Sequence, residues 1–482
     1  MGSNVCTRAA VATTGRQLNV IKRNLYVCSH RCHSARSDAL QYKGMMAIPP
    51  ELLLIISAYT DHHDLRAFAL TSRFLCHLLL PEYLRRRGLV LKDTGDGGKC
   101  VELYGLSGCA SLGLWSIAPT FHPPEEMYFS IPYDLQEALS AIGFVTRFLL
   151  NSSNTSRLRS FHCSLLYLDL LPIMPELIKM QDLFCVLPLT RLHISGFGCA
   201  SHLPPSIPLR NGITCCSRTL TSLVISSEHV FAPGLVRTTL GILKRSPIRN
   251  LAILMVSLKP SHWSTLLGQL NMSLLEDIEL EGDIPRSALL GFLIKHRGLK
   301  IVRIAGSASS HRTQPSRSQN QHFLPNLRSL HAPSAICCDI LRRTSDTSRL
   351  RDLHVELSRL HPYDPSFRDL LKALRRFQKL TNLGLQLVPS SLSAVPQLEA
   401  GPGNWDGHPA SKLMQIRTLS FSSQGLLPLG DIVCSYLLYL VFLALLTSPH
   451  MTGHDMCLRT IVPDARSSPC VGRRDSNQNG TT

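Results

Sequence analysis

The chain has no G-x-S-x-G elbow, no H-E-x-x-H helix and no glycine-rich dinucleotide fingerprint after a strand. The local signatures of serine hydrolysis, zinc proteolysis and Rossmann cofactor binding are therefore missing. Two stretches come near to such motifs and fail. In "TGDGGKC" (residues 94–100) the glycine spacing is wrong for a phosphate loop, and Cys100 stands where a magnesium-holding Ser or Thr is required. "CSHRCH" (residues 28–33) offers soft ligands, but no second cluster at zinc-finger spacing completes a tetrahedral site. The first forty residues lack the apolar core of a secretory signal. The sixteen cysteines lack the paired spacing of a small secreted scaffold. Several, such as Cys76, Cys163 and Cys434, sit inside apolar runs and are expected as buried thiols of a reducing compartment. No catalytic residue, cofactor site or metal site is expected.

Acids are also scarce: 33 Asp and Glu face 50 Lys and Arg, a formal charge of +17. That excess is local. Residues 1–44 carry seven Lys or Arg against Asp38 alone, and residues 295–351 carry eleven against Asp339 and Asp346. These two segments hold +6 and +9, so the remaining chain is nearly neutral. A local basic surface on an ordinary body attracts acidic partners in a salt-dependent way, or simply solvates one face. The Arg- and Ser-rich, acid-poor first segment has the composition of a disordered tail, with a mitochondrial transit peptide as the alternative.

What the chain does contain is 482 residues at 44% hydrophobic, enough for a sizeable core. From Leu158 onward an L-x-x-L-x-L pattern recurs: Leu158/Phe161/Cys163, Leu189/Leu192/Ile194, Leu220/Leu223/Ile225, Ile248/Leu251/Ile253 and Leu275/Ile278/Leu280. It continues at Leu299/Val302/Ile304, Leu327/Leu330/Ala332, Leu350/Leu353/Val355, Leu380/Leu383/Leu385 and Ile416/Leu419/Phe421, with spacings of 23 to 36 residues. Ten such matches in a row are not chance, and they resemble the strands of leucine-rich repeats. Amphipathic helices lie between them, as in "LVRTTLGILKR", "SALLGFLIKHR" and "SFRDLLKALRRF", the last punctuated by Asp364-Pro365. The Asn or Cys usual three residues after each triplet is absent; Phe197, Glu228, Asp283, Ala335 and Val388 stand there, so the repeats are degenerate. Stacked units predict a curved parallel sheet with helices outside, interrupted by a polar loop at residues 307–323.

Before this array lies an apolar helical pair. Ile48-Pro49, Glu51-Leu52, Ile56, Asp64-Leu65, Ala69, Ser72-Arg73 and Leu75 follow the order Leu-Pro-x-Glu-Leu, Ile, Asp-Leu, Ser-Arg-x-Trp. Over about forty residues this resembles an F-box, with departures at Thr60 in place of leucine and Leu75 in place of tryptophan. An amino-terminal F-box followed by leucine-rich repeats is similar to the substrate receptors of Skp–cullin–F-box ubiquitin ligases. The resemblance implies a non-enzymatic receptor that binds the Skp adaptor, and through it cullin, and presents a target protein for ubiquitination. By position it implies Pro49, Leu52, Ile56, Leu65 and Leu75 as residues that contact the adaptor or hold the contacting helices. The competing class is a repeat scaffold that binds acidic protein or nucleic acid outside the ubiquitin pathway.

The expected fold class is α/β: a small all-helical F-box module followed by a leucine-rich-repeat-like solenoid. The expected boundaries are a disordered basic segment over residues 1–46, the F-box over 47–88, a connector over 89–156 and the solenoid over 157–425. An apolar closing helix and a disordered tail fill 426–482. The run at residues 432–446 has fifteen residues, short of a bilayer span, so a helix capping the solenoid is expected, with a membrane-inserted tail as the alternative. The expected compartment is cytoplasmic or nuclear. In the strands at Leu299 and Leu327, the two-residue period places Lys300, Arg303 and Arg328 on the concave face. Three cations there predict an acidic or phosphorylated substrate segment.

Overall fold

The computed structural model describes residues 48–93, 98–115, 123–151, 155–165, 172–196, 217–232, 234–306, 323–344, 349–357, 365–374, 376–387 and 418–423. The chain divides into two compact units between Arg86 and Arg87. The stretches at 1–46, 307–322 and 432–446, and the cysteine–histidine cluster at 28–33, lie outside the described residues.

Among the described residues the first unit holds three helices: α1 (Pro50–Tyr59), α2 (His62–Ala69) and α3 (Arg73–Arg86). Each start has a local cause. Pro50 occupies the first turn of α1, where its missing N–H costs nothing, and Glu51 sits favourably at the positive end of the helix dipole. The Asp61 carboxylate caps α2 by accepting from the Asp64 N–H at 2.8 Å, which holds its pKa below the usual carboxylate value. "DHHD" is thus a helix cap. Ser72 Oγ caps α3 by accepting from Leu75 N–H at 3.2 Å. Leu53, Leu65, Ala69, Leu75, Leu79, Leu80 and Leu84 form the shared core, each at most 4% exposed.

One side chain ties the first and third helices together. The Arg86 guanidinium donates to Thr60 O at 2.8 Å and to Ser57 O at 2.6 Å, a second donor for Ser57 O beside the Thr60 N–H that caps the end of α1. Glu82 holds the same guanidinium at 2.8 Å and Arg85 at 2.7 Å. Hydrogen bonding to Arg85 is the first cause that brings the Glu82 carboxyl down to about 2.

The second unit is one sheet of thirteen strands whose spatial order is their order in the chain. It runs β1 (Leu89–Asp93), β2 (Lys99–Leu103), α4 (Gly105–Trp115), β3 (Glu126–Ser130), α5 (Leu135–Leu150), β4 (Ser160–Ser164), α6 (Met174–Leu183), β5 (Arg191–Ser195) and β6 (Ser222–Ser226). It continues α7 (Val236–Arg245), β7 (Asn250–Ile253), α8 (Pro260–Gln269), β8 (Asp277–Glu281), α9 (Arg286–Lys295), β9 (Ile301–Ala305) and β10 (Ser329–Pro333). The last elements are α10 (Ser334–Arg343), β11 (Asp352–Leu357), α11 (Pro365–Leu374), β12 (Asn382–Leu387) and β13 (Thr418–Ser423). Only the β1–β2 pair is antiparallel. The fold is α/β with a mostly parallel sheet.

Every one of the ten triplets meets a strand, β4 to β13. The leading residues from Leu158 to Leu380 are at most 1% exposed, and the second and third positions are buried wherever their side chains are described. Residues 89–156 correct the expected connector, because they supply β1, β2 and β3 to the same sheet. The pattern is present there in disguise: Gly98/Val101/Leu103 and Pro124/Met127/Phe129 have the triplet spacing, and Gly98 and Pro124 are buried where leucine was sought. The leading position needs only to be covered, so a small or ring residue fills it. Cys163 is buried as expected and its thiol is pushed up to about 12, whereas Cys76 is only half-buried.

The turns that leave the strands use backbone where asparagine was missing. Gly282 and Gly306 have positive φ, and a Cβ on Gly306 would lie 2.7 Å from Gly282 O, so only glycine fits this close stack. Met255, at the same place after β7, adopts φ 52° without glycine, with its N–H donating to Glu281 Oε2 at 3.2 Å. Among the described residues no helix is long and apolar enough to cross a membrane.

Replacing Arg86 by Met should destabilise the helical unit by about 2–3 kcal/mol, because two charge-assisted bonds to the end of α1 are lost. Arg85→Met, at a side chain 62% exposed, should leave the stability of the unit nearly unchanged. Hydrogen exchange of the α1 amides in the intact chain distinguishes the two; equal protection in both variants would remove Arg86 as the tie.

Candidate functional site

Two surfaces carry chemistry, one on each unit. On α1 the core takes only Leu53 and Ser57. Leu52, Ile55, Ile56 and Tyr59 remain 47–89% exposed, at the spacing of one helical stripe, and Leu54 is 44% exposed. Phe74 on α3 and Leu70 after α2 are also exposed. This sorts the five expected adaptor positions into two groups. Pro49, Leu52 and Ile56 lie at the surface, while Leu65 and Leu75 are buried and hold the helices together. Ile55 and Tyr59 were missed by sequence reasoning, although their spacing from Leu52 was a readable signal.

The second surface is the sheet face opposite the buried Leu, Val and Ile positions. In-register pairing aligns the residue between the second and third apolar positions of each strand into one continuous row: Glu102, Tyr128, His162, His193, Val224, Ala252, Glu279, Arg303, His331, His354 and Gly384. Three zones follow along it. The Tyr128 ring stacks on His162 at 4.1 Å between centroids, and His162 Nδ1 lies 3.2 Å from His193 Nδ1. Val224 and Ala252 form a short apolar step. Beyond Arg303, the rings of His331 and His354 lie 5.7 Å apart, and His331 Nε2 is 3.3 Å from Glu356 Oε1. The histidines were missed because attention went to cations; the signal was Tyr, His, His at one triplet position in successive units.

The expected cationic patch is corrected by the same register. Lys300 donates to Glu276 at 2.6 Å, and Arg303 reaches Asp277 at 3.1 Å and Glu279 at 3.4 Å. Arg328 is exposed and feels the same Glu276 charge. Lys300 holds the Glu276 carboxyl below its usual value, whereas burial outweighs Arg303 at Asp277 and pushes that carboxyl up. Lys300 and Arg303 are therefore members of ion pairs. The acids come from residues 276–281, outside the contiguous window in which charge was counted, and the sheet brings them alongside. Among the described residues no group of three or more His, Cys, Asp or Glu is placed to hold a metal ion.

Burial, with His193 and the Arg191 cation behind it, lowers His162 from its ordinary 6.5 to about 4. Between those values the unfolded chain binds a proton that the folded chain refuses, so the contribution of His162 is complete above 6.5 and is lost as pH falls toward 4. Urea unfolding should show stability falling through this window in the wild type and falling less steeply in His162→Gln. Parallel profiles for the two proteins would mean that His162 is not held neutral by the fold.

No protein-family model matches the chain, and no curated protein matches it.

Proposed function

We propose that this chain is a non-enzymatic substrate receptor of a Skp–cullin–F-box ubiquitin ligase, with the helical unit as its F-box and the strand array as a leucine-rich-repeat-like solenoid. The observation that carries this reading is the apolar stripe Leu52, Ile55, Ile56 and Tyr59, exposed on a three-helix unit whose own core is already filled by Leu53, Leu65 and Leu79. So much apolar surface on so small a module is costly unless a partner covers it. The resemblance of Leu52, Ile56 and the motif around them to the F-box suggests the Skp adaptor as that partner, which tethers the receptor to cullin. The transfer chemistry then belongs to other subunits. The row of side chains on the sheet is a rigid display surface at fixed spacing, which suits protein recognition.

The competing reading, a scaffold for nucleic acid or acidic protein, needs uncompensated cations along the binding face. The pairing of Lys300 with Glu276 and of Arg303 with Asp277 speaks against it. The same pairing weakens the case for an acidic or phosphorylated substrate at Lys300, Arg303 and Arg328, since such a ligand has to displace Glu276, Asp277 and Glu279.

Replacing Leu52 and Ile56 together by Ala should weaken capture of the Skp adaptor by about tenfold or more, on the basis of roughly 1 kcal/mol from each half-exposed side chain that becomes buried. Leu65→Ala acts differently, removing core and costing the unit about 2–5 kcal/mol of stability. Binding of purified adaptor measured by calorimetry separates them, with circular dichroism as the fold control. A folded Leu52/Ile56 double variant that binds adaptor as well as wild type would refute the reading.

A further inference from the structure

We propose that His162 and His193 form a binding site for a borderline divalent cation such as Zn²⁺, in which the chain supplies two imidazole nitrogens and leaves the other positions open. The inference rests on the strand array alone and does not depend on the adaptor reading.

The two residues are direct register partners on adjacent parallel strands, so their side chains leave the same face side by side. Their Nδ1 atoms are 3.2 Å apart and their ring planes stand at 70° to one another. An ion at the usual 2.0–2.1 Å from each of two nitrogens so spaced subtends an angle of about 100–105°, close to the tetrahedral value that zinc prefers. The separation therefore suits a shared ion as well as a shared proton.

The rings are also held in place, which a site needs. Ser160 Oγ lies 3.1 Å from His162 Nε2, so that in the tautomer the site needs it accepts the Nε2–H and leaves the Nδ1 lone pair free on the His193 side. The Tyr128 ring lies against the His162 ring at an interplanar angle of 16°, which restricts rotation of the imidazole. Imidazole nitrogen selects zinc, copper and nickel over magnesium and calcium, which take oxygen. On the other side of His193 the row continues with Val224 and Ala252, which offer no donor atoms. No third His, Cys, Asp or Glu joins the pair among the described residues, so water or a donor from a bound partner completes the coordination. An ion in this place puts a Lewis-acidic centre beside Tyr128 on the display face, with the Arg191 cation and the Glu126 carboxylate on the neighbouring register row. The His331/His354 pair, whose rings lie 5.7 Å apart, is a second histidine pair on the same face for comparison.

The test is titration of the full chain with Zn²⁺ by calorimetry, and with one equivalent of Cu²⁺ followed by electron paramagnetic resonance. The expected wild-type spectrum shows hyperfine structure from two imidazole nitrogens. His162→Gln and His193→Gln should each lower Zn²⁺ affinity at least about tenfold, and the double variant should add little to either single one. Ser160→Ala, which leaves both ligands in place, should lower affinity by about tenfold through loss of the orienting bond. The His331→Gln/His354→Gln variant should bind like wild type. Because the chain holds twenty histidines and sixteen cysteines, the readout is the difference between variants. Wild-type affinity retained in both His162→Gln and His193→Gln, or a copper spectrum unchanged in the double variant, overturns the proposal. Circular dichroism of each variant ensures that a loss of affinity is not a loss of fold; were either glutamine variant unfolded, the Ser160→Ala result decides.

Discussion

One backbone interaction recurs from strand to strand, and the sheet depends on it. The carbonyl of the residue just before each of β3 to β11 accepts two N–H groups from the next strand segment. Lys300 O takes Arg328 N at 2.7 Å and Ser329 N at 3.1 Å; Glu276 O takes Lys300 N at 2.7 Å and Ile301 N at 3.0 Å. The same pair of bonds repeats at Glu125, Arg159, Thr190, Thr221, Arg249, Arg328 and Arg351. At the far end, Leu165 N donates to Ser195 O and Gly282 N to Ala305 O. These bonds hold neighbouring strands in one register, and a slip of one residue would turn every buried leucine to the open face.

Register explains why the open face has zones. Its chemistry is decided by what stands at one triplet position in consecutive units, not by the composition of any contiguous segment. Glu279 meets Arg303 because β8 and β9 pair at that position. His162 meets His193 for the same reason, across thirty-one residues of chain. Surface ion pairs of the first kind contribute little to stability, roughly 0–1 kcal/mol each. Their effect is on recognition, since they cancel a field that the sequence alone seemed to offer.

The helical unit obeys a different constraint. Three short helices cannot surround one another fully, so one that is apolar on most sides must leave some of that surface in water. In α1 the core takes Leu53 and leaves Leu52, Ile55, Ile56 and Tyr59 outside. Arg86 holds the end of α1 through its carbonyls, which keeps the stripe on a fixed helix without using the stripe for packing. That separation of anchoring from display is what makes the stripe available to a partner.

The ten triplets and the helices between them were readable in the sequence, because hydrophobic period is a local property, whereas the caps at Asp61, Ser72 and Asp134 were found in the structure. The strands β2 and β3 were hidden because Gly98 and Pro124 stand where leucine was sought, and coverage of that position, rather than residue type, is what the packing demands. The sequence also named Leu52, Ile56, Leu65 and Leu75 as one set. Only the tertiary structure divided them, since which face of a helix is covered depends on its neighbours. It likewise decided that Lys300 and Arg303 are paired and that Tyr128, His162 and His193 form one cluster. Both outcomes arise from contacts between strands 24 to 34 residues apart in the chain, a distance over which local pattern carries no information about which side chains meet.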